Sequence, residues 1–167
     1  MTGPARQRTS PVTVHEVTWA DPAAVALRAA MESEMRRRYA DRLAEPGGRD
    51  ITTTVGVDAG QVAYVAVART EQGVPVGHAA LRWNDGDLEL KRTYVVPPHR
   101  GTGVSVALLR AVEEAARALG AGRIILQTGD RQPDAVRLYE RAGYTRIPIF
   151  PPYEGLTFST CMEKVLR

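Results

Sequence analysis

The stretch Val95-Val96-Pro97-Pro98-His99-Arg100-Gly101-Thr102-Gly103-Val104-Ser105 constrains this chain more than any other. Leu88 to Val96 reads as a strand, ending in the β-favouring run Thr93-Tyr94-Val95-Val96. Pro97-Pro98 stops that strand, because neither residue can donate to a ladder. Val104 to Leu119 then reads as a helix, with Leu108, Leu109, Val112, Ala115, Ala116 and Leu119 on one broad face. The link between them, Arg100-Gly101-Thr102-Gly103, is short, cationic and poor in side chains. The first turn of a helix presents backbone N–H groups with no partner inside the helix, and the macrodipole adds positive charge there. Glycines let a phosphate approach the backbone, and Arg100 adds a forked, charged donor. Arg100 to Ser105 is therefore a candidate anion site with phosphate as its natural occupant. A plain tight turn, with glycines for geometry only, is the competing reading.

Val95-x-Pro97-x-x-Arg100-Gly101-x-Gly103-x-Ser105 resembles the acyl-CoA-binding motif of the GNAT superfamily of N-acetyltransferases, with Ser105 where Gly or Ala is usual. Ala135-Val136-Arg137-Leu138-Tyr139-Glu140-Arg141-Ala142-Gly143-Tyr144 resembles that family's second signature. The resemblance runs from about Val62 to Lys164 and is weak over the N-terminal part. It implies acetyl-CoA as co-substrate and transfer of an acetyl group to a primary amine. Arg100, Gly101, Thr102, Gly103, Val104 and Ser105 would hold the pyrophosphate. Thr93, Tyr94 and Val95 would give main-chain contacts to the pantetheine arm, with the Val95 N–H aimed at the thioester oxygen. Tyr139 falls at the family's tyrosine near the coenzyme sulfur, a candidate general acid for the leaving thiolate. On spacing alone it reads rather as an aromatic on the inner face of a helix, beside Leu138. Glu89 lies six residues before Val95, where some members carry a catalytic glutamate. It is either the base, acting through water, or an ion-pair partner of Lys91, which shares its strand face.

The other segments read in the same sense. Residues 1–11 are polar and Pro-containing, an expected disordered tail ahead of a single domain over 12–167. Val12 to Val17 is a first strand. Asp21-Pro22 starts a helix, as cap and first helical residue, with Leu27, Met31, Met35 and Tyr39 as its expected buried stripe. A break is expected at or before Pro46-Gly47-Gly48. Gln61–Thr70, Val74–Trp83 and Leu88–Val96 form a meander closed by Glu71-Gln72-Gly73 and Asn84-Asp85-Gly86-Asp87. Arg123–Thr128 follows the helix and pairs in parallel with the strand before it. Pro133–Arg141 is a helix closed by Gly143, and Tyr144–Phe150 and Leu156–Val165 are the last strands. The class is α/β (α+β in some schemes), a mixed sheet of about seven strands flanked by helices.

Composition excludes several functions. A net charge of +3 is too mild to imply nucleic acid, and the acids interleaved with Arg36-Arg37-Arg38 make that run a solvated face. No apolar run is long enough for a bilayer and no signal-peptide core is visible, so a cytoplasmic protein without a membrane partner is expected. Cys161 is the single cysteine, read as a small core residue. His15, His78 and His99 are scattered, and no metal is expected. The turn lacks the Gly-Lys-Ser/Thr ending of a nucleotide-binding loop. A catalytically silent acyl-CoA-binding or sensing module is the alternative to an enzyme. Under the resemblance, residues 21–48 and 150–155 frame the acceptor, a small-molecule amine or a peptide, and a homodimer is possible. Glu32, Glu34, Asp41, Glu45 and Glu154 suit a cationic acceptor, with Tyr39 and Tyr153 along its path. Arg36, Arg37, Arg38 and Arg49 suit an acidic one.

Overall fold

The computed structural model describes residues 11–167. The expected tail falls, apart from Pro11, outside the described residues. The order is β1 (Val12–Glu16), α1 (Pro22–Arg38), α2 (Ala40–Leu43), α3 (Gly48–Thr54), β2 (Val62–Thr70), β3 (Pro75–Asn84), β4 (Asp87–Val95), α4 (Val104–Ala118), β5 (Arg123–Gly129), α5 (Pro133–Arg141), β6 (Thr145–Ile147) and β7 (Ser159–Val165). Punctuation follows the sequence chemistry. The Asp21 carboxylate accepts from the Ala24 N–H at 3.0 Å, and Pro22 takes the first position of α1. Asp85 and Gly86 both have positive φ (49° and 85°), the geometry of a tight hairpin. Gly143, at φ 92°, lets the chain reverse after α5, and the Tyr144 N–H bonds the Tyr139 carbonyl at 3.0 Å.

The seven strands form one sheet in the order β1-β2-β3-β4-β5-β7-β6. Every neighbouring pair is antiparallel except β4 and β5, which are parallel across the α4 crossover. One face carries the main core. Leu81, Leu88, Leu108, Val112, Ile124 and Met162 are fully buried there, each contributing roughly 1.5–3 kcal/mol of burial. The other face packs Ala24 and Leu27 of α1 on Val65, Val67, Ala80 and Tyr94.

β4 breaks its own alternation. Ala80 pairs with Lys91 and His78 with Tyr94, so Ala79 alone opposes both Arg92 and Thr93. Arg92 sits at φ 57°, left-handed for a non-glycine residue. Before this bulge, Leu88 and Leu90 face α4; after it, Val95 does, while Tyr94 faces α1. Pairing of β4 with β5 is confined to Leu88–Leu90 against Ile124–Leu126, and beyond it the strands part.

Three expectations need correction. The strand expected over Tyr144–Phe150 is only Thr145–Ile147, because Pro148 cannot donate to a ladder. The last strand starts at Ser159 rather than Leu156, since residues 151–158 are mostly turns that bury Tyr153 and Leu156. In the stripe of α1 only Leu27 is buried; Met31, Met35 and Tyr39 are half-buried and face a cleft. Arg36, Arg37 and Arg38 do form a solvated face, bonded to Glu32, Ser33 and Glu34 one turn back. Among the described residues, no helix is long and apolar enough to cross a membrane.

Candidate active site

Where β4 and β5 part, a cleft of about 380 Å³ opens. Its β4 wall is Leu90–Thr93 and its β5 wall Gln127–Gly129. Tyr139 of α5 closes one side; Met31 and Met35 of α1 and Ile51 of α3, with Tyr39 and Val55 just past the ends of those helices, close the other. Thr93 and Tyr139, two of the residues singled out in the sequence, thus meet in one cavity. Tyr139 is 7% exposed and packs on Tyr144 at 5.6 Å between ring centroids. Burial raises its phenol above the ordinary tyrosine value, partly offset by the neighbouring Thr93 hydroxyl. Packing and a catalytic position are therefore compatible for this side chain.

The glycine turn follows directly from the end of β4. Gly101 and Gly103 have φ of 73° and 93°, which explains the glycines. The Thr102 hydroxyl donates to the His99 carbonyl at 2.5 Å and ties the turn to the one-turn helix Pro97–His99. The first helical bond of α4 is Ala107 N–H to Gly103 C=O at 3.1 Å, and no side chain caps the helix. The first-turn N–H groups of Val104 and Ser105 are thus left for an external acceptor. A Cβ built on Gly103 meets nothing within 4 Å, so the space over the turn is open. Val104 itself is buried in the core. Arg100 donates to the Val95 carbonyl at 2.9 Å and pairs with both Glu34 oxygens at 3.1 and 2.6 Å. Its guanidinium also lies 5.6 Å from the Tyr94 ring centre.

Glu89 does not line the cleft. It is fully buried, accepting from Arg82 Nε and Asn84 Nδ2, each at 3.0 Å, and from the Tyr153 hydroxyl. Lys91 is 3.7 Å from the same carboxylate and donates to the Tyr153 hydroxyl at 2.8 Å. The ion pair expected between Glu89 and Lys91 is therefore present, with Tyr153 bridging it. Lys91 does line the cleft, and burial pushes its ammonium down to about 7 against the pull of Glu89. Burial likewise pushes the Tyr153 phenol up. Lys91 is thus the cleft end of a buried chain that leads through Tyr153 to Glu89.

Thr93, Tyr139 and the cleft-facing Tyr39 come together; Tyr94 and Val95 are buried in the strand behind; Arg100 to Ser105 stand at the strand's outer end. Of the acids in the acceptor frame, Glu32 lines the cleft, Glu34 is taken by Arg100, and Asp41 pairs with Arg131. The side chain of Arg49 lies outside the described residues. Cys161 is buried away from the cleft, and burial raises its thiol. The sequence reading missed Arg92, Lys91 as a cleft residue, and α3. The run Lys91-Arg92-Thr93 carries a signal: three polar residues in succession cannot alternate faces with Leu88 and Leu90. Among the described residues, no three His, Cys, Asp or Glu side chains are placed to hold a metal.

Comparison with known proteins bears on this arrangement. A family model described as acetyltransferase (GNAT) family matches residues 26–144. An IAA acetyltransferase of Azospirillum brasilense is 32% identical over 105 residues, covering 63% of this chain and 69% of the relative. An acetyltransferase of Agrobacterium fabrum is 32% identical over 123 residues, 74% of this chain and 79% of the relative. The crystal structure of a protein described as an acyl-CoA N-acyltransferase, from Klebsiella pneumoniae, superposes with a TM-score of 0.76 at 29% identity, over 95% of this chain and 99% of the other.

Proposed function

The chain belongs to the acetyltransferase (GNAT) family, and from that premise we propose that it moves an acetyl group from acetyl-CoA to a primary amine by direct attack. The supporting observation is the cleft at the β4 bulge, with Thr93 and Tyr139 neighbours in its wall and the uncapped start of α4 past the end of β4. In this reading the pyrophosphate rests on the N–H groups from Gly101 to Ser105, with Arg100 adding charge. The pantetheine arm runs along Thr93, Tyr94 and Val95, taking the place that β5 vacates. The thioester carbonyl then lies near the bulge, where the Val95 N–H is the donor for the developing oxyanion.

The acceptor arrives as an ammonium and must lose a proton before it attacks. Lys91, lowered to about 7, is neutral in a useful fraction near neutral pH. It takes the proton, and Glu89 acts behind it through Tyr153, stabilising the charge that Lys91 gains. The amine lone pair forms the C–N bond, the C–S bond breaks, and the thiolate takes a proton from the Tyr139 hydroxyl. That hydroxyl is held in its protonated form by burial and is reprotonated by the proton lost from nitrogen, directly or through solvent.

The test follows thiol release from acetyl-CoA over a panel of amines, with product identified by mass. Release that tracks N-acetyl product supports the reading; tight acetyl-CoA binding with no release for any amine overturns it. Tyr139→Phe should lower kcat by roughly 100-fold or more, within the ordinary range for acid–base groups, while the acetyl-CoA Kd stays at the wild-type value. An unchanged kcat removes Tyr139 from the chemistry.

A further inference from the structure

We propose that the acceptor carries a carboxylate beside its amine, and that Arg28 and Arg92 bind it: the substrate is an amino acid with an apolar side chain. This rests on the acetyltransferase reading above and specifies its acceptor.

Both arginines line the cleft from the α1 face of the sheet. Neither makes a salt bridge among the described residues; Arg92 donates to the Val55 carbonyl at 3.2 Å, and Arg28 donates to the Trp19 carbonyl. Arg28 also stacks on Trp19, 3.6 Å from the ring centre. One buried residue sets both. His78 is fully buried, bonds the Arg92 carbonyl through Nδ1 at 2.8 Å, and lies 3.1 Å from Arg28 through Nε2. A carbonyl can only accept, so Nδ1 carries the proton and Nε2 accepts from Arg28. The neutral ring therefore fixes the strained Arg92 backbone and the Arg28 guanidinium together. Burial holds both guanidiniums below the usual arginine range, with the charge of Arg92 adding to the effect at Arg28 and that of Arg82 at Arg92. Two like charges in one half-buried cleft wall are stabilised by an anion bound between them.

The acids nearby, Glu32 and Asp21, act on the two arginines only at a distance, without an ion pair. Glu32 is paired with Arg36 at 2.7 Å, and Asp21 caps α1. The same cleft also offers apolar side chains, Met31, Met35, Val55 and Val57 among them, which suits an apolar side chain on the ligand. The anion is assigned to the acceptor rather than to the coenzyme, because the phosphate turn lies past the end of β4, at the start of the helix on the opposite face.

Matched pairs test this: phenylalanine against phenethylamine, and leucine against isopentylamine, each with saturating acetyl-CoA. A charged hydrogen bond is worth about 1.5–3 kcal/mol, so wild type should favour the amino acid by roughly tenfold to a hundredfold in kcat/KM. In Arg28→Gln and in Arg92→Gln the ratio should collapse toward one, while Arg28→Lys keeps part of it. Acetyl-CoA affinity, measured by calorimetry, should stay at the wild-type value in all three. If Arg92→Gln does not fold, Arg28→Gln decides. Equal use of both members of each pair by wild type, or discrimination that survives in the variants, overturns the proposal but leaves the acetyltransferase intact. A loss of acetyl-CoA affinity in the variants assigns the anion to the coenzyme and also overturns it. Turnover with simple amines but with neither amino acid does the same.

Discussion

His78 shows how one side chain carries a condition for the whole site. Burial pushes its imidazole down to about 4, against the usual 6.5, because the charged form is poorly solvated there. The folded-state value lies below the unfolded one, so between pH 4 and 6.5 the unfolded chain binds a proton that the native chain does not. Stability is therefore full above pH 6.5 and falls as the pH drops toward 4. At about 1.4 kcal/mol per unit, the loss approaches 3 kcal/mol. Urea titrations at pH 7 and 4.5 should show that loss in wild type and a flatter response in His78→Gln. An identical acid response in both would remove His78 as its source. Protonation would also turn Nε2 into a donor facing Arg28, so the arginine wall should loosen over the same range.

At the level of elements, most of the architecture was readable, and the exceptions share a cause. The glycine turn, α4, α5 and the β2–β3–β4 meander lie where the sequence places them, because hydrophobic period and turn chemistry act locally. The turn was legible for the same reason, whereas Tyr139 was singled out only by the resemblance of its helix to the GNAT signature. The β4 bulge was not, since it is decided by the pairing of His78 with Tyr94 across the sheet. The burial of Glu89 was equally hidden, because Tyr153, its partner, comes from a distant turn. So was the grip of α1 on the glycine turn. Glu34, 66 residues from Arg100 in sequence, engages both arms of its guanidinium. That pair is partly exposed, and such pairs are worth about 0–1 kcal/mol. Glu34→Gln should free Arg100 and tighten acetyl-CoA binding by up to about fivefold, with the difference shrinking in high salt. A weaker affinity in Glu34→Gln would instead make Glu34 part of the coenzyme's own surroundings.

Across the whole molecule, the two faces of the sheet divide the labour. The α4 face holds the larger core, and the α1 face holds the charged side chains of the cleft. The halves of the cleft are tied by ion pairs, Arg42 to Asp130 at 2.7 Å and Arg131 to Asp41, which fasten α2 to the loop after β5. The bulge at Arg92 has an arithmetic consequence for this division. Leu88, Leu90 and Val95 all serve the same core, yet five positions separate the last two, an odd number. Strict alternation needs an even one. Strike out Arg92 and the count becomes four: Thr93, Tyr94 and Val95 keep their faces in an ordinary flat strand. The core has no use for that residue, and its left-handed backbone costs roughly 1–2 kcal/mol. A chain lacking Arg92 sheds that strain but also the bonds of Arg92 to His78 and Val55, so its Tm should stay close to wild type while β4 zips further along β5 and acyl transfer is lost. A large fall in Tm on that deletion would mean the core does count it. The cleft, by this tally, is one surplus residue in a sheet whose core does not count it.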